Sequence, residues 1–395
     1  MTKEITIEDI DVFNWEKAPD VETYTLETLP DKLSDILTDS YVLANRDEYR
    51  AARFSNTQGT TKSGSSMASL FSMLPQEAEN ETKVKAEITV QKVILAIDDY
   101  KEQGYTATDA VDAGLFPYII PRSQKAREIQ RRRVKEKAEV FTPTYLCNKQ
   151  NNLVDDEILY PGAFTVEVSD ANVEKIPGYE RIKNSFEQAS YIPSEKVDFS
   201  KTDLSPEQYI SLKTLEATCG EGPYLFSRYD TVTGEYIPVQ DSIFHRYWRI
   251  GVLDRKLRVI SENFDNKQTW VNQAIKAYQR TYGYEWQGDN LMLARLNAFN
   301  TFLEYYYNQF KVIDVADSVL ETIATIISQN LFQMDGMKHI VPLSEKTMKK
   351  KTATKNLVEK YTGHDGMLPV ITWHDNVWFP YEDIVRDGLK RRTSA

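Results

Sequence analysis

Apolar and polar residues change their periodicity within the segment Tyr282–Asn297, YGYEWQGDNLMLARLN. Aromatic residues alternate with other residues at Tyr282, Tyr284 and Trp286, and apolar residues then recur at helical spacing. A period of two is typical of a strand, and a period of 3.6 is typical of a helix. The segment therefore predicts a strand that ends near Glu285 and is followed directly by a helix.

A second strand is predicted in Leu215–Leu225, LEATCGEGPYL, where an apolar run leads into a Gly-x-Gly turn and Glu216 lies close to the strand end. In open α/β sheets ligands lie outside the carboxyl ends of strands, and glycines allow the backbone to approach them closely. The pattern is therefore typical of a nucleoside-binding turn. A Gly-x-Gly turn can also do no more than terminate a strand.

A helix start is predicted in Ala138–Leu153, AEVFTPTYLCNKQNNL. Pro143 suits the first helical turn, and Thr142 suits the N-cap position before it. Phe141 precedes both residues. Taken alone, this is an ordinary helix start.

The wider pattern predicts four regions. They are an N-terminal segment (1–54), a flexible linker rich in Ser, Thr, Gly and Gln (55–80), a helical region that ends in a basic helix (81–137), and an α/β domain (138–395) with an insertion around 226–280. The domain is predicted to be a Rossmann-like sheet with helices on both faces. Helices are predicted at Tyr41–Phe54, Lys83–Tyr100, Thr106–Leu115, Leu291–Lys311 and Asp317–Phe332.

The three segments, in this order, resemble the N6-adenine class of S-adenosylmethionine-dependent DNA methyltransferases, in particular the modification subunits of restriction systems. That family has a Phe-x-Pro element, an E-x-x-C-G-x-G-like motif, and an acidic strand end followed by an A-x-x-N helix. The resemblance continues into Ile326–Val341, a third strand region with Asp335, and covers roughly residues 130 to 345. The matching residues are Phe141 and Pro143, then Glu216, Cys219, Gly220, Glu221 and Gly222, then Glu285, Ala294 and Asn297.

The resemblance implies a class I methyltransferase sheet and a cofactor site. Phe141 and Pro143, with Thr142 between them, would border the adenosine and methionine portions of S-adenosylmethionine, and Glu216 would lie near the methionine amino group. The motif residues Cys219, Gly220, Glu221 and Gly222 would let the backbone pass the cofactor. Glu285 would bind the ribose hydroxyls, Trp286 would stack beside the adenine, and Asp335 would lie at the adenine edge. Alternatively, Phe141 and Trp286 are core aromatics and Asp335 with Gly336 forms a simple turn.

The chain departs from the family because it has no Asn-Pro-Pro-Tyr motif, which would hold the flipped target base. The nearest segment is Leu368–Tyr381, LPVITWHDNVWFPY. Its amide, carboxylate and stacking groups are weak catalytic candidates: His374, Asp375, Asn376 and Tyr381. The segment is equally typical of a tryptophan-rich hairpin.

A formal net charge of −11 opposes binding to DNA unless cations are concentrated on one face. One concentration is Arg122–Lys137, which predicts a basic helix near the cofactor cleft or a solvated linker helix. Lys346–Lys360 is a second, Lys-rich cluster.

The insertion, Tyr224–Arg258 and onward, is a further candidate contact with DNA or a partner subunit. It predicts a hairpin turn at Asp230–Gly234 and a helix at Ile243–Asn263 with five cations: Arg246, Arg249, Arg255, Lys256 and Arg258. In the alternative, the helix packs on the sheet through Ile250, Leu253, Leu257 and Ile260 and the arginines lie in water.

Several classes of protein and site are disfavoured. There is no apolar run long enough to cross a bilayer and no leader-like amino terminus, so we expect a cytoplasmic protein without a membrane partner. The two cysteines do not suggest a structural disulfide, four scattered histidines do not suggest a metal site, and there is no P-loop.

The leading hypothesis is a DNA methyltransferase or modification subunit of a restriction-modification or phage system. In such an enzyme the adenine amine attacks the sulfonium methyl group directly. The alternative is a noncatalytic methyltransferase-like protein that binds DNA or a partner, which the missing acceptor motif favours. A third hypothesis is a transferase that uses the same cofactor on another acceptor. A partner subunit or a homo-oligomer is compatible with all three.

Overall fold

The computed structural model describes residues 121–169, 191–240 and 245–337, the backbone of 369–372 and 377–380, and positions 30, 33 and 37. The chain divides into two compact units. Among the described residues, the first unit comprises 121–283, with its gaps, and 293–323. The second unit comprises 284–292, 324–337 and the described backbone near the carboxyl end.

The basic stretch forms a 3₁₀ turn, Arg122–Gln124, followed by helix α1 (Arg127–Lys137). The predicted basic helix is therefore confirmed over most of its length. It ends at Ala138, whose φ of 52° lies in the left-handed region. Arg133 is buried and donates to the Glu139 carboxylate at 2.6 Å, so one of the helix cations stabilises the fold and does not face water.

Helix α2 (Thr144–Ile158) begins one residue later than predicted, with Pro143 at the N-cap. The prediction that Thr142 caps the helix was wrong, because the cap comes from another part of the chain. The Thr144 N–H donates to the Asp230 carboxylate at 2.8 Å, while the Thr142 carbonyl accepts from Thr231 at 3.3 Å.

Small elements follow helix α2. Strands β1 (Thr165–Glu167) and β2 (Tyr191–Pro193) pair in an antiparallel ladder, with Val166 opposite Ile192. Helix α3 (Pro206–Ile210) starts with a capping box, which is a reciprocal pair of hydrogen bonds between Ser205 and Gln208.

The predicted strands form a three-stranded parallel sheet in the order β3 (Thr214–Ala217), β4 (Thr281–Glu285), β5 (Leu331–Gln333). In the first unit, the Thr214 N–H donates to the Arg280 carbonyl at 2.9 Å, beside the start of β4. In the second unit, the Met334 N–H donates to the Glu285 carbonyl at 3.1 Å. All five residues of β4 are buried, and the predicted α/β class is confirmed.

The connection from β3 to β4 contains the predicted hairpin, with an antiparallel bridge between Tyr229 and Tyr236. Helices α4 (Val252–Asn263) and α5 (Lys267–Gln279) complete the connection. The prediction that α4 begins at Ile243 was wrong, because residues 245–251 are not helical. The first N–H groups of α4 are held by other partners: Val252 and Leu253 donate to the Tyr224 and Leu225 carbonyls at 2.8 Å each.

Four of the five cations predicted for this helix are buried, so the prediction that the arginines lie in water was wrong for all of them but Arg246. The apolar residues that the prediction named on this helix are buried, because Leu253, Leu257 and Ile260 lie in the core. Four cations are buried with them and have partners within the fold: Arg249, Arg255, Lys256 and Arg258. Of the five predicted DNA-contacting cations, Arg246 alone is partly exposed, 3.9 Å from Glu195.

Arg255 and Lys256 illustrate how the fold holds these cations. Arg255 forms an ion pair with Asp155 at 2.6 Å. Lys256 donates to the Leu212 carbonyl at 2.6 Å, and burial lowers the pKa of Lys256 to about 7.

Helices α6 (Gly288–Phe310) and α7 (Asp317–Asn330) match the two predicted helices closely. Helix α7 ends two residues earlier than predicted, because Leu331 starts strand β5. In the first unit, the Trp270 ring packs on aromatic rings of α6, with centroids 5.7 to 5.9 Å apart: Phe302, Tyr306 and Phe310.

Near the carboxyl end, strand β6 (Pro369–Thr372) pairs antiparallel with strand β7 (Val377–Pro380), and Ile371 lies opposite Trp378. The hairpin interpretation of this segment is confirmed. The predicted N-terminal segment, the linker, the helices before residue 121 and the Lys346–Lys360 cluster lie outside the described residues, apart from three isolated positions. Within the described part of the chain, no helix is both long and apolar enough to span a bilayer.

Candidate cofactor site

The turn after β3 has the left-handed backbone that its glycines suggested. Gly220 has a φ of 57° and Gly222 a φ of 90°, and Thr218 shares this conformation at 55°. A Cβ at Gly222 would lie 1.9 Å from the Phe226 ring. Gly222 is therefore required by packing within the chain, whether or not a ligand lies nearby.

Phe141 joins the first predicted motif to the second. A Cβ at Gly220 would lie 3.4 Å from the Phe141 ring, which is ordinary contact distance. The guanidinium of Arg122 lies 5.2 Å from the centre of the same ring. The tertiary structure thus brings Phe141, Gly220 and Arg122 together, although 79 residues separate the first two.

Glu221, inside the turn, is buried and bonded to the protein. Its carboxylate accepts from the Arg122 N–H and from the Tyr229 hydroxyl, both at 2.7 Å. Asn297 donates to the Glu221 carbonyl at 3.1 Å and to the Tyr229 hydroxyl at 3.0 Å. Glu221 and Asn297 therefore fix the shape of the turn, and the structure gives both a structural role.

Glu216 differs from these residues. It is half-buried in β3, and among the described residues its carboxylate accepts no hydrogen bond and forms no ion pair. Burial raises its pKa to about 7. The five buried carboxylates of the described first unit, by contrast, all accept hydrogen bonds: Glu139, Asp155, Glu221, Asp254 and Glu304.

Cys147 and Tyr224 lie in the electrostatic environment of Glu216. Burial raises the pKa of the Cys147 thiol, and the negative charge of Glu216 raises it further. Burial likewise raises the pKa of Tyr224. Cys147 and Cys219 are both buried free thiols, and the Cys147 thiol donates to the Thr142 carbonyl at 3.6 Å. Cys147 is thus held as a neutral thiol and is not activated as a nucleophile.

The remaining predicted cofactor residues lie in the second unit. Glu285 is buried at the end of β4 and accepts from the Gln287 N–H at 2.9 Å. Trp286, directly after it, is 38% exposed, which argues against the core interpretation of this ring. The Asp335 carboxylate accepts from the Met337 N–H at 3.0 Å, which is the simple turn considered as its alternative.

The weak catalytic candidates His374, Asp375, Asn376 and Tyr381 lie outside the described residues. The backbone on either side of the first three forms the antiparallel hairpin of β6 and β7. Their catalytic role stays a prediction.

Sequence reasoning missed a buried charge network in the first unit. The Glu304 carboxylate accepts from Arg228 at 2.6 Å and pairs with Arg249 at 2.6 Å, and Arg228 also donates to Asn297 at 3.1 Å. Burial opposes the ionisation of Glu304, but the two guanidinium groups outweigh it and hold the pKa of this carboxyl below its usual value. The available signal was a lone carboxylate in the aromatic helix sequence FNTFLEYYYNQF.

The groups available for ligand binding at this turn are the Glu216 carboxylate, the left-handed backbone and the Phe141 ring. Within the described residues, no group of three His, Cys, Asp or Glu side chains is arranged to hold a metal ion. Comparisons with protein-family models, with curated proteins and with solved structures find no match to this chain.

Proposed function

We propose that this protein binds S-adenosylmethionine at the carboxyl end of β3 and is a DNA methyltransferase-like protein of a restriction-modification or phage system. The observation that carries the proposal is Glu216. A half-buried carboxylate without a partner is costly, so a chain that keeps one is expected to use it. A ligand ammonium group, such as that of methionine, would supply the missing cation.

The fold supports a nucleoside ligand. Strands β3, β4 and β5 are parallel and adjacent in chain order, with helices in the connections, as in one half of a doubly wound sheet. Ligands of such sheets lie beyond the carboxyl ends of the strands. Each strand has a carboxylate at or just after that end: Glu216, Glu285 and Asp335. This is the basis for proposing a Rossmann-like class I methyltransferase fold.

The residues of the first unit suit the aminocarboxyl portion of the cofactor. Glu216 would bind its ammonium group, and Phe141 would border the ligand beside Gly220. The ribose and adenine contacts predicted for Glu285 and Trp286, which belong to the second unit, stay predictions from the sequence. When bound, the cofactor supplies an electrophilic methyl group.

Calorimetric titration with S-adenosylmethionine tests this proposal. We expect the intact chain to bind, and Glu216→Gln to bind about tenfold or more weakly, because a hydrogen bond between charged groups is lost. Glu157→Gln is the matched control, since this glutamate is exposed on α2 and belongs to none of the predicted cofactor motifs. Absence of binding to the intact chain, or equal affinity of the Glu216 and Glu157 variants, would contradict the proposal.

DNA is the proposed macromolecular partner, through α1. Arg127, Arg131 and Lys135 are exposed and follow one another at a spacing of four, so they form a cationic stripe on one face of the helix. The buried cations of α4 are not proposed to contact DNA. Phosphate contacts through the stripe would give binding that weakens steeply with salt.

The second candidate is a protein that binds the cofactor and DNA without methylating it. The absence of Asn-Pro-Pro-Tyr favours this function, as does the hairpin in the segment that offered the nearest substitute. Mass spectrometry of nucleosides from DNA incubated with the protein and cofactor separates the two. A methylated adenine supports the enzyme, and cofactor binding without a modified base supports the binding protein.

A further inference from the structure

Arg122, at the turn after β3, has no carboxylate partner among the described residues. Its backbone N–H is fixed by the Glu221 carboxylate at 2.7 Å, and its guanidinium lies over the Phe141 ring. The Nε atom is buried and has no hydrogen-bond partner. Among the described residues, no carboxylate lies within ion-pair distance of this guanidinium. The turn therefore holds an arginine head group in place and leaves its charge uncompensated.

Other arginines of the first unit differ from Arg122 because they have carboxylate partners. Arg228 and Arg249 share the Glu304 carboxylate, Arg255 pairs with Asp155, and Arg258 pairs with Glu262. Arg280 resembles Arg122, because its buried Nε also lacks a partner. Arg280 precedes strand β4, however, and so lies by the starting ends of the strands.

Arg122 and Glu216 together have complementary chemistry. Glu216 lies near the end of β3. The Arg122 N–H donates to Glu221 in the turn that follows. One is an anion and the other a cation, and neither has an ion-pair partner among the described residues. An α-amino acid carries both opposite charges on one carbon, an ammonium group and a carboxylate. A nucleoside without this portion would leave both residues uncompensated.

We propose that Arg122 binds the carboxylate of the ligand's aminocarboxyl end, opposite the ammonium group bound by Glu216. This inference rests on the proposed function and sharpens it: the site selects the amino-acid portion of S-adenosylmethionine as well as its nucleoside. The guanidinium matches a carboxylate because its N–H groups donate in a planar fork. Contact with Phe141 and the bond from the Arg122 N–H to Glu221 hold the residue before the ligand arrives.

The test pairs two ligands with four proteins, the intact chain and three variants. Calorimetry measures the affinities of S-adenosylmethionine and of decarboxylated S-adenosylmethionine for the intact chain, for Arg122→Gln and for Arg280→Gln. The intact chain is expected to prefer the carboxylated ligand by about tenfold or more, because that preference reports one charge-assisted contact. Arg122→Gln is expected to lose the preference, and Arg280→Gln to keep it. Arg122→Lys, which retains the charge, is expected to restore part of it.

The outcomes are distinguishable. If the intact chain binds neither ligand, both the proposed function and the role of Arg122 are wrong. If the intact chain binds and Arg122→Gln keeps the full preference for the carboxylated ligand, the role of Arg122 alone is overturned. If Arg122→Gln loses affinity for DNA and keeps that preference, Arg122 contacts phosphate and the inference is likewise overturned. Arg122→Lys covers the case in which the glutamine variant fails to fold.

Discussion

Two carboxylates in the first unit, Glu304 and Glu216, differ in whether nearby cations compensate their charge. Glu304 is fully buried and shared by the guanidinium groups of Arg228 and Arg249. Glu216 is less buried and has no cation or donor among the described residues. A compensated charge holds elements together, whereas an uncompensated one at a strand end is suited to binding a ligand. Burial alone would rank Glu304 before Glu216, whereas the missing partner among the described residues makes Glu216 the candidate.

The largest expected effect is on Glu304, the carboxylate whose charge is compensated by two guanidinium groups. Replacing Glu304 by Gln should lower the free energy of unfolding by about 3 to 5 kcal/mol, because two buried guanidinium groups lose their counter-charge. Urea denaturation measures it, with Glu157→Gln as the control expected to change stability by less than about 0.5 kcal/mol. A loss of under about 1 kcal/mol would show that the network is not a structural anchor.

The Gly-x-Gly turn is expected to give the next largest effect. Gly222→Ala should destabilise the chain by about 2 to 4 kcal/mol, because the new Cβ meets the Phe226 ring and the backbone is left-handed. Gly220→Ala should cost less, about 1 to 2 kcal/mol, since only the backbone conformation opposes it. Thermal unfolding in the absence of ligand measures both variants.

The double variant Gly222→Ala with Phe226→Ala checks the cause of this cost. Removing the ring should make the added Cβ less damaging than it is in the presence of Phe226. If Gly222→Ala leaves stability unchanged and reduces only cofactor affinity, then the glycine serves the ligand and not the packing of the turn.

The smallest expected effect is the contribution of Glu216 to the free energy of unfolding, and it depends on pH. The pKa of Glu216 in the folded chain, about 7, lies above its ordinary value, so the folded chain binds the proton more tightly than the unfolded chain does. This contribution favours folding below the unfolded pKa and is lost as the pH rises through the folded pKa, between about 4.5 and about 7. Relative to Glu216→Gln, the intact chain should lose about 1 to 2 kcal/mol of stability over that interval.

Urea denaturation of both proteins at a series of pH values measures this difference. Subtracting the variant cancels the titration of Lys256, whose lowered pKa also falls near neutrality. Cofactor bound at Glu216 should abolish the pH dependence, because an ammonium partner favours the ionised carboxylate. A difference that does not change with pH would mean that Glu216 is compensated in solution.

Local pattern sufficed for much of the fold. The change of period before Glu285 predicted β4 and α6, the turn between Tyr229 and Tyr236 predicted a hairpin, and the basic stretch predicted α1. Each depends on residues that are neighbours in the chain. The candidate site was only partly predictable: the sequence identified Glu216, but it did not show that Glu216 has no partner among the described residues.

The sequence by itself determined the α/β class, the order of the strands along the chain, and the carboxylate and glycines at the end of β3. The tertiary structure alone decided which charges are compensated. It buried Arg249, Arg255 and Arg258 against distant partners, capped α2 with Asp230, and left Arg122 and Glu216 without ion-pair partners within the described residues. The physical reason is that periodicity reports the local face of an element. The partner of a charge, by contrast, comes from parts of the chain that can be a hundred residues away.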